Sequence, residues 1–255
     1  MKYIDKLINK LKKRPLSIIQ FNNLLEDSET FFESVDLEKE LLLSNGCPLH
    51  FTNEEVSLKT TTTKIKDQTF CVVDIETTAG KVESGQIIEI GAVKWKNGKI
   101  IEKYESLVNA GDIPFKVQEI TGITPDMLLD APSIQTVLEE FKIFLEDDLF
   151  VAHAISFDYK FISDSFEKYN LGKLCNRKLC TIDLSKRLIK AQRYGLQYLK
   201  EHFDINVDNH HRAYSDALST AIIFNKCVEK IPNDLIYTED LIKFSKSHIE
   251  TNILK

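Results

Sequence analysis

Two carboxylates interrupt an apolar stretch that otherwise has the pattern of a buried β-strand. In FCVVDIETT, at 70–78, Asp74 and Glu76 are two residues apart, so the period of a strand directs both side chains to one face. Desolvating an isolated carboxylate costs several kcal/mol, and a second acid nearby increases that cost. Either Asp74 caps a loop at the strand end, or the two acids share a chemical task.

Two further acids begin predicted helices at the edge of an apolar face. In FDYKFISDSFEKYN, the apolar stripe extended backwards by one turn reaches Asp158, and in AYSDALSTAIIFNKCVEKI the helix opens with Asp216. Capping and the helix macrodipole explain either acid taken alone. Four carboxylates at the ends of three elements instead favour a site for Mg²⁺ or Mn²⁺, because these ions prefer oxygen ligands.

A histidine close to the last of these acids could serve as a base. NHHRAYSD places His211 five residues before Asp216, in the loop that leads into the helix. Imidazole titrates near neutral pH and can take a proton from an attacking water. Two ions held by carboxylates are typical of phosphoryl chemistry, in which one helps to form the hydroxide and the other stabilises the leaving oxygen. His210 is the competing candidate.

The elements that must position these residues fall into two regions. Residues 1–59 show the stripes of three short helices and a β-hairpin, which predicts a small helical, winged-helix-like accessory domain, although any small helical docking domain produces similar stripes. The low-complexity segment 60–68 predicts a linker. Residues 69–231 contain four strands and later helices, with a hairpin turn at Asn97–Gly98, which predicts an α/β layer fold. Residues 232–255 are expected to form a polar tail with one short helix.

The composition is typical of a globular protein in a reducing compartment. Of the 255 residues, 43% are hydrophobic and 28% are charged, which excludes disordered and fibrous classes. Five cysteines without a C-x-x-C pair fit neither a disulfide framework nor a zinc site, which favours the cytoplasm. No segment has the pattern of a signal peptide or a bilayer span, so we expect no membrane partner. With 39 acids against 33 cations, any contact with nucleic acid must be local or metal-mediated.

Three motifs in order carry a family resemblance. DIET, AHAISFDYKF and HHRAYSDA resemble the exonuclease motifs of the DEDD superfamily of 3′–5′ exonucleases, and specifically of the DEDDh (DnaQ-like) branch that includes the proofreading epsilon subunit of bacterial DNA polymerase III. The segments IIEIGAV, ITGITPDML and CTIDLSKRL agree, and the similarity covers residues 67–230. The tyrosine branch has Tyr at the position of Arg212. The resemblance implies an RNase H-like exonuclease fold, with a mixed central sheet flanked by helices.

The resemblance also implies roles for the acids and the histidine. Asp74, Glu76, Asp158 and Asp216 would be the metal-site acids for two Mg²⁺ or Mn²⁺ ions. Asp74, Glu76 and Asp216 would hold one ion, Asp74 would bridge to the second, and Asp158 would act through that second ion or its waters. His211 would be the general base.

Other motif positions are expected near the substrate. Thr77, Ile123 and Phe157 match residues that cradle the 3′-terminal nucleotide in relatives, although core packing explains Ile123 and Phe157 equally well. His153 is either close to the substrate or a core histidine with its hydrogen bonds satisfied. The second motif departs from the family pattern, because Ala154 stands where close relatives have Asn. If that Asn contacts the nucleotide, the contact is missing or supplied elsewhere, which leaves the substrate preference open.

The function expected from these observations is a metal-dependent 3′–5′ exonuclease that removes terminal nucleotides from DNA and proofreads for DNA polymerase III. Its partners would be single-stranded or frayed DNA 3′ ends and the replicative polymerase subunit. An acidic enzyme that holds only a few nucleotides needs no long basic groove. Two alternatives remain open. One is an exoribonuclease or oligonucleotide-trimming enzyme of the same fold, because the sequence does not separate DNA from RNA; the other is a replisome docking or scaffold protein.

Overall fold

The computed structural model of the protein describes residues 2–28, 34–207 and 211–247. The strands are β1 (Leu16–Ser17), β2 (Leu49–Phe51), β3 (Glu55–Leu58), β4 (Phe70–Thr77), β5 (Ile87–Lys96), β6 (Lys99–Leu107), β7 (Leu149–Ala152) and β8 (Lys178–Cys180). The helices are α1 (Lys2–Leu11), α2 (Ile18–Glu26), α3 (Val35–Ser44), α4 (Phe115–Thr121), α5 (Pro125–Leu128), α6 (Ile134–Leu145), α7 (Ile155–Lys168), α8 (Thr181–Leu188), α9 (Leu196–His202), α10 (Ala213–Val228) and α11 (Thr238–Lys246). In the described residues, no helix has the length and apolarity needed to cross a membrane.

A mixed five-stranded sheet organises the larger part of the molecule. Its strand order is β6-β5-β4-β7-β8; β4 pairs antiparallel with β5 and parallel with β7. The hairpin between β5 and β6 turns at Asn97 and Gly98, both at positive φ, which is the geometry of a type I′ turn and confirms the predicted hairpin. The predicted mixed sheet flanked by helices is therefore confirmed. The short strand β8 was not predicted.

Alternate residues of β4 enter two separate cores. Cys71, Val73 and Ile75 pack with side chains of α6 and α7, whereas Phe70 and Val72 pack with side chains of α8, α10 and α11. Helices therefore cover both faces of the central strand. This burial fixes the register of β4, since a shift by one residue would exchange its two faces.

The first sixty residues form a smaller unit around a second sheet. Its elements follow the order α1, β1, α2, α3, β2, β3, and the three strands pair in the order β1-β3-β2. The predicted helices and hairpin are therefore observed, with β1 as an addition. The third helix was predicted from Ser28, whereas α3 begins at Val35; residues 29–33, between these two positions, lie outside the described residues. Whether this unit is a separate winged-helix-like domain stays a prediction.

The segment expected to be a linker is packed against the C-terminal helix. Ile65 is buried, and its N–H donates to the carbonyl of Ile236 at 3.0 Å. The N–H of Thr238 donates to the carbonyl of Thr63 at 3.0 Å. Thr60 Oγ1 donates to Glu239, and the other three threonine hydroxyls donate locally, to the carbonyls of Leu58 and Lys59. No local sequence pattern shows the long-range pairs, because they join residues more than 170 positions apart.

Candidate active site

The ends of β4, α7 and α10 bring the predicted acids together. Asp74 and Glu76 lie on the side of β4 that faces α10, and Asp216 lies in the first turn of α10. Asp158 lies in the first turn of α7. A cleft of about 480 Å³ opens here, lined by residues from β4, β7, α9 and α10 and their flanking loops: Asp74, Glu76, His153, Leu196, Gln197, Lys200, His211 and Asp216.

The close approach of α10 to the sheet requires Gly91. Gly91 pairs with Asp74 across β4 and β5. A Cβ on Gly91 would lie 2.1 Å from the backbone N of Tyr214 and 2.2 Å from the carbonyl carbon of Ala213. The missing side chain therefore allows the first turn of α10 to carry Asp216 up to Asp74.

A buried ion pair fixes the start of α10. Glu89, fully buried in β5, accepts hydrogen bonds from Arg212 Nε at 3.0 Å, Arg212 Nη2 at 2.6 Å and the N–H of Ala213 at 2.9 Å. Because Glu89 pairs with Glu76 across the strands, the guanidinium also offsets charge beside the acids. The role of Glu89 was not predicted, although an acid inside the apolar run IIEIGAV was the available signal.

His211 stands at the mouth of the cleft. Its backbone is left-handed, with φ of 58°, and its N–H donates to Asp216 Oδ2 at 3.2 Å. Its side chain is exposed, and one ligand atom each of His211, Glu76 and Asp216 lie within 4.8 Å of one another. The imidazole of His211 is therefore placed where it can accept a proton from a water molecule in the cleft. His210, the competing candidate, lies outside the described residues.

Burial raises the pKa of three of the acids, Asp74, Glu76 and Asp158, and repulsion between carboxylates raises it further for the first two. Burial raises the pKa of Asp74 well above its usual value, and the neighbouring carboxylates, Asp158 first, raise it further. Burial raises the pKa of Glu76 to about 8, with repulsion from Glu89 as the second cause. Burial also raises the pKa of Asp158 to about 7, although two backbone N–H groups donate to it. Such crowding stores a repulsion that a bound cation would remove.

The donor set fits Mg²⁺ or Mn²⁺. Carboxylate oxygens from Asp74, Glu76 and Asp216 line the same cleft, and hard oxygen ligands are what these two ions prefer. Binding of a divalent ion would displace protons from the acids with raised pKa values. The cluster is therefore suited to a metal site.

Lys200 adds a cation that the sequence did not reveal. Its side chain is only 2% exposed, and its Nζ lies 3.8 Å from Asp216 Oδ1 and 3.5 Å from the carbonyl of Val207. The sequence pattern of LQYLKEHF predicted a helix from its apolar positions and gave Lys200 no role. The ammonium offsets part of the negative charge around Asp216.

His153 lines the cleft as a neutral, hydrogen-bonded side chain. Its Nε2 lies 2.8 Å from the carbonyl of Tyr194 and its Nδ1 lies 2.8 Å from Thr181 Oγ1. Because a carbonyl only accepts, Nε2 carries the proton. Burial lowers the pKa of His153 to about 4, so the ring is neutral at pH 7. The ring is therefore hydrogen-bonded on both sides and also borders the cleft; its proximity to the substrate stays a prediction.

The remaining predicted residues divide between the site and the core. Thr77 ends β4 next to Glu76, and its hydroxyl donates to the carbonyl of Ala79 at 2.9 Å. Phe157 is 39% exposed and lies on the first turn of α7. Ala154, just before α7, is exposed and left-handed, with φ of 72°.

Ile123 is not brought to the cleft. Its side chain is fully buried in a small apolar cluster with Ile88, Ile113 and Leu128. Of the two explanations for this residue, core packing is the one that the geometry supports, because a fully buried side chain presents no surface to a nucleotide. We therefore no longer expect the side chain of Ile123 to contact the substrate.

A mixed sheet whose central strand ends in a carboxylate cluster beside two helix N-termini is the architecture of an exonuclease of RNase H-like fold. A family model described as an exonuclease matches residues 71–224, a range that includes the four acids and His211. The chain belongs to this exonuclease family, as the resemblance to DnaQ-like enzymes predicted.

Relatives and solved structures agree with this assignment. The chain is 37% identical over 193 residues to the DNA polymerase III PolC-type protein of Staphylococcus aureus, an alignment that covers 75% of this chain and 13% of that protein. The chain thus spans about an eighth of the length of these curated relatives. Exonuclease X in complex with 5′-overhanging duplex DNA superposes with a TM-score of 0.52 at 24% identity, covering 67% of this chain and 99% of that one. Exonuclease I of E. coli in complex with a dA16 oligonucleotide gives 0.59 at 15% identity, covering 69% and 42%. These two likenesses concern the fold.

Proposed function

We propose that the chain is a metal-dependent 3′–5′ exonuclease that hydrolyses terminal nucleotides from DNA 3′ ends. The observation that carries the proposal is the convergence of acids from β4 and α10 with His211 in one open cleft. Asp158 joins them through its electrostatic coupling to Asp74. Carboxylates so placed and an exposed imidazole meet the needs of phosphodiester hydrolysis and of few other reactions.

Each residue of the site has its own part in this reaction. Asp74, Glu76 and Asp216 would hold one Mg²⁺ or Mn²⁺ ion, and Asp74 with Asp158 would hold the second. When bound, the two ions supply a hydroxide nucleophile and stabilise the leaving oxygen. The imidazole of His211 accepts the proton of the attacking water, because it is exposed at the cleft beside Glu76 and Asp216. The buried Glu89–Arg212 pair holds the segment that carries this histidine.

The substrate is a 3′ end that has left its duplex. The cleft of about 480 Å³ is of the size that accommodates one small ligand. The exposed ring of Phe157, next to Asp158 in the first turn of α7, is available to stack on an unpaired base. The similarity to a PolC-type polymerase supports a proofreading role alongside a replicative DNA polymerase subunit.

Degradation of end-labelled oligonucleotides tests the proposal. With Mg²⁺ or Mn²⁺, a 5′-labelled single strand or 3′-mismatched primer should shorten in single-nucleotide steps, whereas a 3′-labelled strand should release its label at once. EDTA should stop both reactions. Asp74→Asn keeps the shape of the side chain and removes a charge that the ions need, so activity should fall by at least 10³-fold.

Two outcomes would decide against the proposal. The matched control is Asp112→Asn, on an exposed loop, which should leave the activity unchanged. If Asp74→Asn also kept its full activity, the reaction would take place at another site. Faster cleavage of a matched RNA oligonucleotide would replace DNA by RNA as the substrate.

A further inference from the structure

A run of positive charge borders the candidate active site. Residues 184–200 contain five lysines and arginines and no acid, in a chain with a net charge of −6. Two of these cations lie on α8, and Lys200 is buried on α9. The other two, Lys190 and Arg193, lie between these helices with exposed side chains. In the part of the chain that the structure describes, no carboxylate lies within ion-pair distance of either one.

The loop that carries these two cations, residues 189–195, is fixed at both ends. The carbonyl of Tyr194 accepts a hydrogen bond from His153 Nε2 at 2.8 Å. The hydroxyl of Tyr194 donates to the carbonyl of Ile189 at 2.9 Å, and the side chain of Ile189 is buried. The loop is therefore anchored, and Arg193 directly precedes the residue that contacts His153.

His153 places this loop at the end of the sheet that carries the carboxylates. In the parallel pair of β4 and β7, Val72 lies opposite Val151. Two residues further along, Asp74 and His153 are therefore level, with their Cα atoms about 5 Å apart. Both side chains line the same cleft, and so does Leu196, the second residue after Tyr194. The loop thus borders the cleft at the same strand end and on the same face as Asp74.

The loop and Phe157 lie on opposite sides of the acids. The ring of Phe157 is 5.8 Å from that of Phe161, between centroids, and Phe161 belongs to the core that α6 and α7 form with the sheet. Tyr194 and Leu196 pack instead against the core on the other face, which includes side chains of α8 and α10. If the 3′-terminal base stacks on Phe157 and the scissile phosphate lies at the carboxylates, the path of the strand continues toward the loop.

We propose that Lys190 and Arg193 bind backbone phosphates of the single-stranded segment immediately 5′ of the scissile bond. We call residues 190–193 the phosphate-binding loop. Gln192, which is also exposed, adds an amide, and cations together with amides are the groups that contact nucleic-acid phosphates and sugars. The competing occupants are the complementary strand of a duplex and an acidic peptide. The single strand is favoured because the loop continues the line from Phe157 across the carboxylates. The inference rests on the proposed function, since it assigns a second contact to the same substrate.

Equilibrium binding measures the phosphate-binding loop without cleavage. The full chain carrying Asp74→Asn is titrated, with Mg²⁺ at a constant concentration, against a fluorescent single-stranded octanucleotide over a range of salt concentrations. In this background, Lys190→Ala/Arg193→Ala should weaken binding by about 10-fold or more at about 0.1 M salt. The slope of log K against log salt should become shallower by about 1.4, because each phosphate contact on a single strand contributes about 0.7.

Two further variants control for charge and for side-chain shape. Lys96→Ala/Lys99→Ala removes two exposed lysines at the β5–β6 turn, far from the carboxylates, and should leave the slope unchanged. Lys190→Arg/Arg193→Lys keeps both charges and should keep the affinity of the parent. All variants should melt at the temperature of the parent, because the substituted side chains are exposed. A decaaspartate peptide and a blunt duplex are titrated in parallel.

Cleavage of two substrates locates the loop relative to the bond that breaks. In the otherwise wild-type chain, Lys190→Ala/Arg193→Ala should raise the KM for the octanucleotide by about 10-fold, with little change in kcat, because the lost contacts hold the substrate and not the reacting atoms. The p-nitrophenyl ester of thymidine 5′-monophosphate has no nucleotide 5′ of the bond that breaks. Its KM should therefore be the same in this variant and in the wild type.

The outcomes separate this inference from the proposed function. An unchanged salt slope, equal weakening by Lys96→Ala/Lys99→Ala, or a raised KM for the ester would overturn the phosphate-binding loop. Weaker binding to decaaspartate or to the blunt duplex, with unchanged binding to the single strand, would also overturn it. If the wild type hydrolysed neither the ester nor the octanucleotide, the exonuclease would be refuted, whereas the binding titration would still test the loop.

Discussion

At the scale of single residues, Asp74, Glu76 and Asp158 have raised pKa values, so a divalent ion that binds there would displace protons. The pKa of Glu76 rises from 4.5 to about 8 and that of Asp158 from 3.8 to about 7 on folding, so between these limits the folded chain binds more protons than the unfolded chain. Without metal, this stabilisation is complete at low pH and disappears as pH rises through 7 to 8. We therefore expect urea unfolding in EDTA to show a free energy of unfolding that declines from pH 5.5 to pH 8.5.

Metal should reverse this decline, because it binds the deprotonated acids. At pH 8, Mg²⁺ at 100 times its Kd should raise Tm by about 5–10 °C. Glu76→Gln should flatten the pH dependence in EDTA, whereas Glu105→Gln on β6, an exposed glutamate, should not. A stability that is independent of pH and of Mg²⁺ would contradict the account of the carboxylate cluster.

Ala154 stores a local backbone strain. Its φ of 72° lies in the left-handed region, which costs a residue with a Cβ about 1–2 kcal/mol. Ala154→Gly should therefore raise the free energy of unfolding by about 0.5–1 kcal/mol, although glycine gains freedom in the unfolded chain. The control is Ala131→Gly, outside the left-handed positions, which should lower it. Equal effects of the two substitutions in urea unfolding would show that Ala154 is not strained.

The site residues that could be predicted are those whose type conflicts with their surroundings. An acid at an apolar strand or helix position, as at Asp74 and Asp158, is visible in the sequence itself. Lys200 and Glu89 were not predicted as site residues, because their roles depend on contacts with residues of distant elements. Ile123 matched a motif, yet its burial depends on packing that no local pattern describes.

At the scale of elements, the contact between β5 and α10 determines where Asp216 lies. A methyl group at Gly91 would overlap backbone atoms of Tyr214 and Ala213, which cannot move aside as a flexible side chain could. Gly91→Ala should displace the first turn of α10, lower the nuclease rate by at least 10²-fold and cost about 1–3 kcal/mol of stability. Gly111→Ala, with no atom within 4 Å of the new Cβ, is the matched control. Full activity of Gly91→Ala would show that α10 tolerates a shift.

Long elements were predicted, and short ones were predicted only in part. The hairpin of β5 and β6 and the helices α6, α7 and α10 each span at least twelve residues, with the hairpin turn marked by Asn97–Gly98. Strand β7 and helix α9, of four and seven residues, were also predicted, whereas helices α4 and α5 and strand β8, of similar length, were not, because so short an element shows its period only weakly. The segment 60–68 was predicted as a linker, because the residues that it pairs with, at 236–239, lie far along the chain.

At the scale of the whole molecule, Glu239 ties three distant segments together. Its buried carboxylate accepts from Thr60 Oγ1 at 2.8 Å, after β3, and from Arg177 Nη2 at 2.6 Å, at the start of β8. Helix α11 thereby joins the N-terminal unit to the catalytic sheet. We expect both parts of the wild-type chain to unfold in one transition.

Removing the charge of Glu239 should weaken this connection. Glu239→Gln keeps the shape and leaves Arg177, itself largely buried, without its counter-charge, which typically costs about 3–5 kcal/mol. Hydrogen exchange followed by mass spectrometry should show reduced protection in 60–68 and in α11. Asp240→Asn, which breaks an exposed pair with Lys243 at 3.2 Å, should change stability by less than about 1 kcal/mol. The double variant Arg177→Met/Glu239→Met replaces both charges with apolar side chains, so it should recover much of the lost stability. If the double variant were as unstable as Glu239→Gln, the hydrogen bond to Thr60, and not the ion pair, would hold the two parts together.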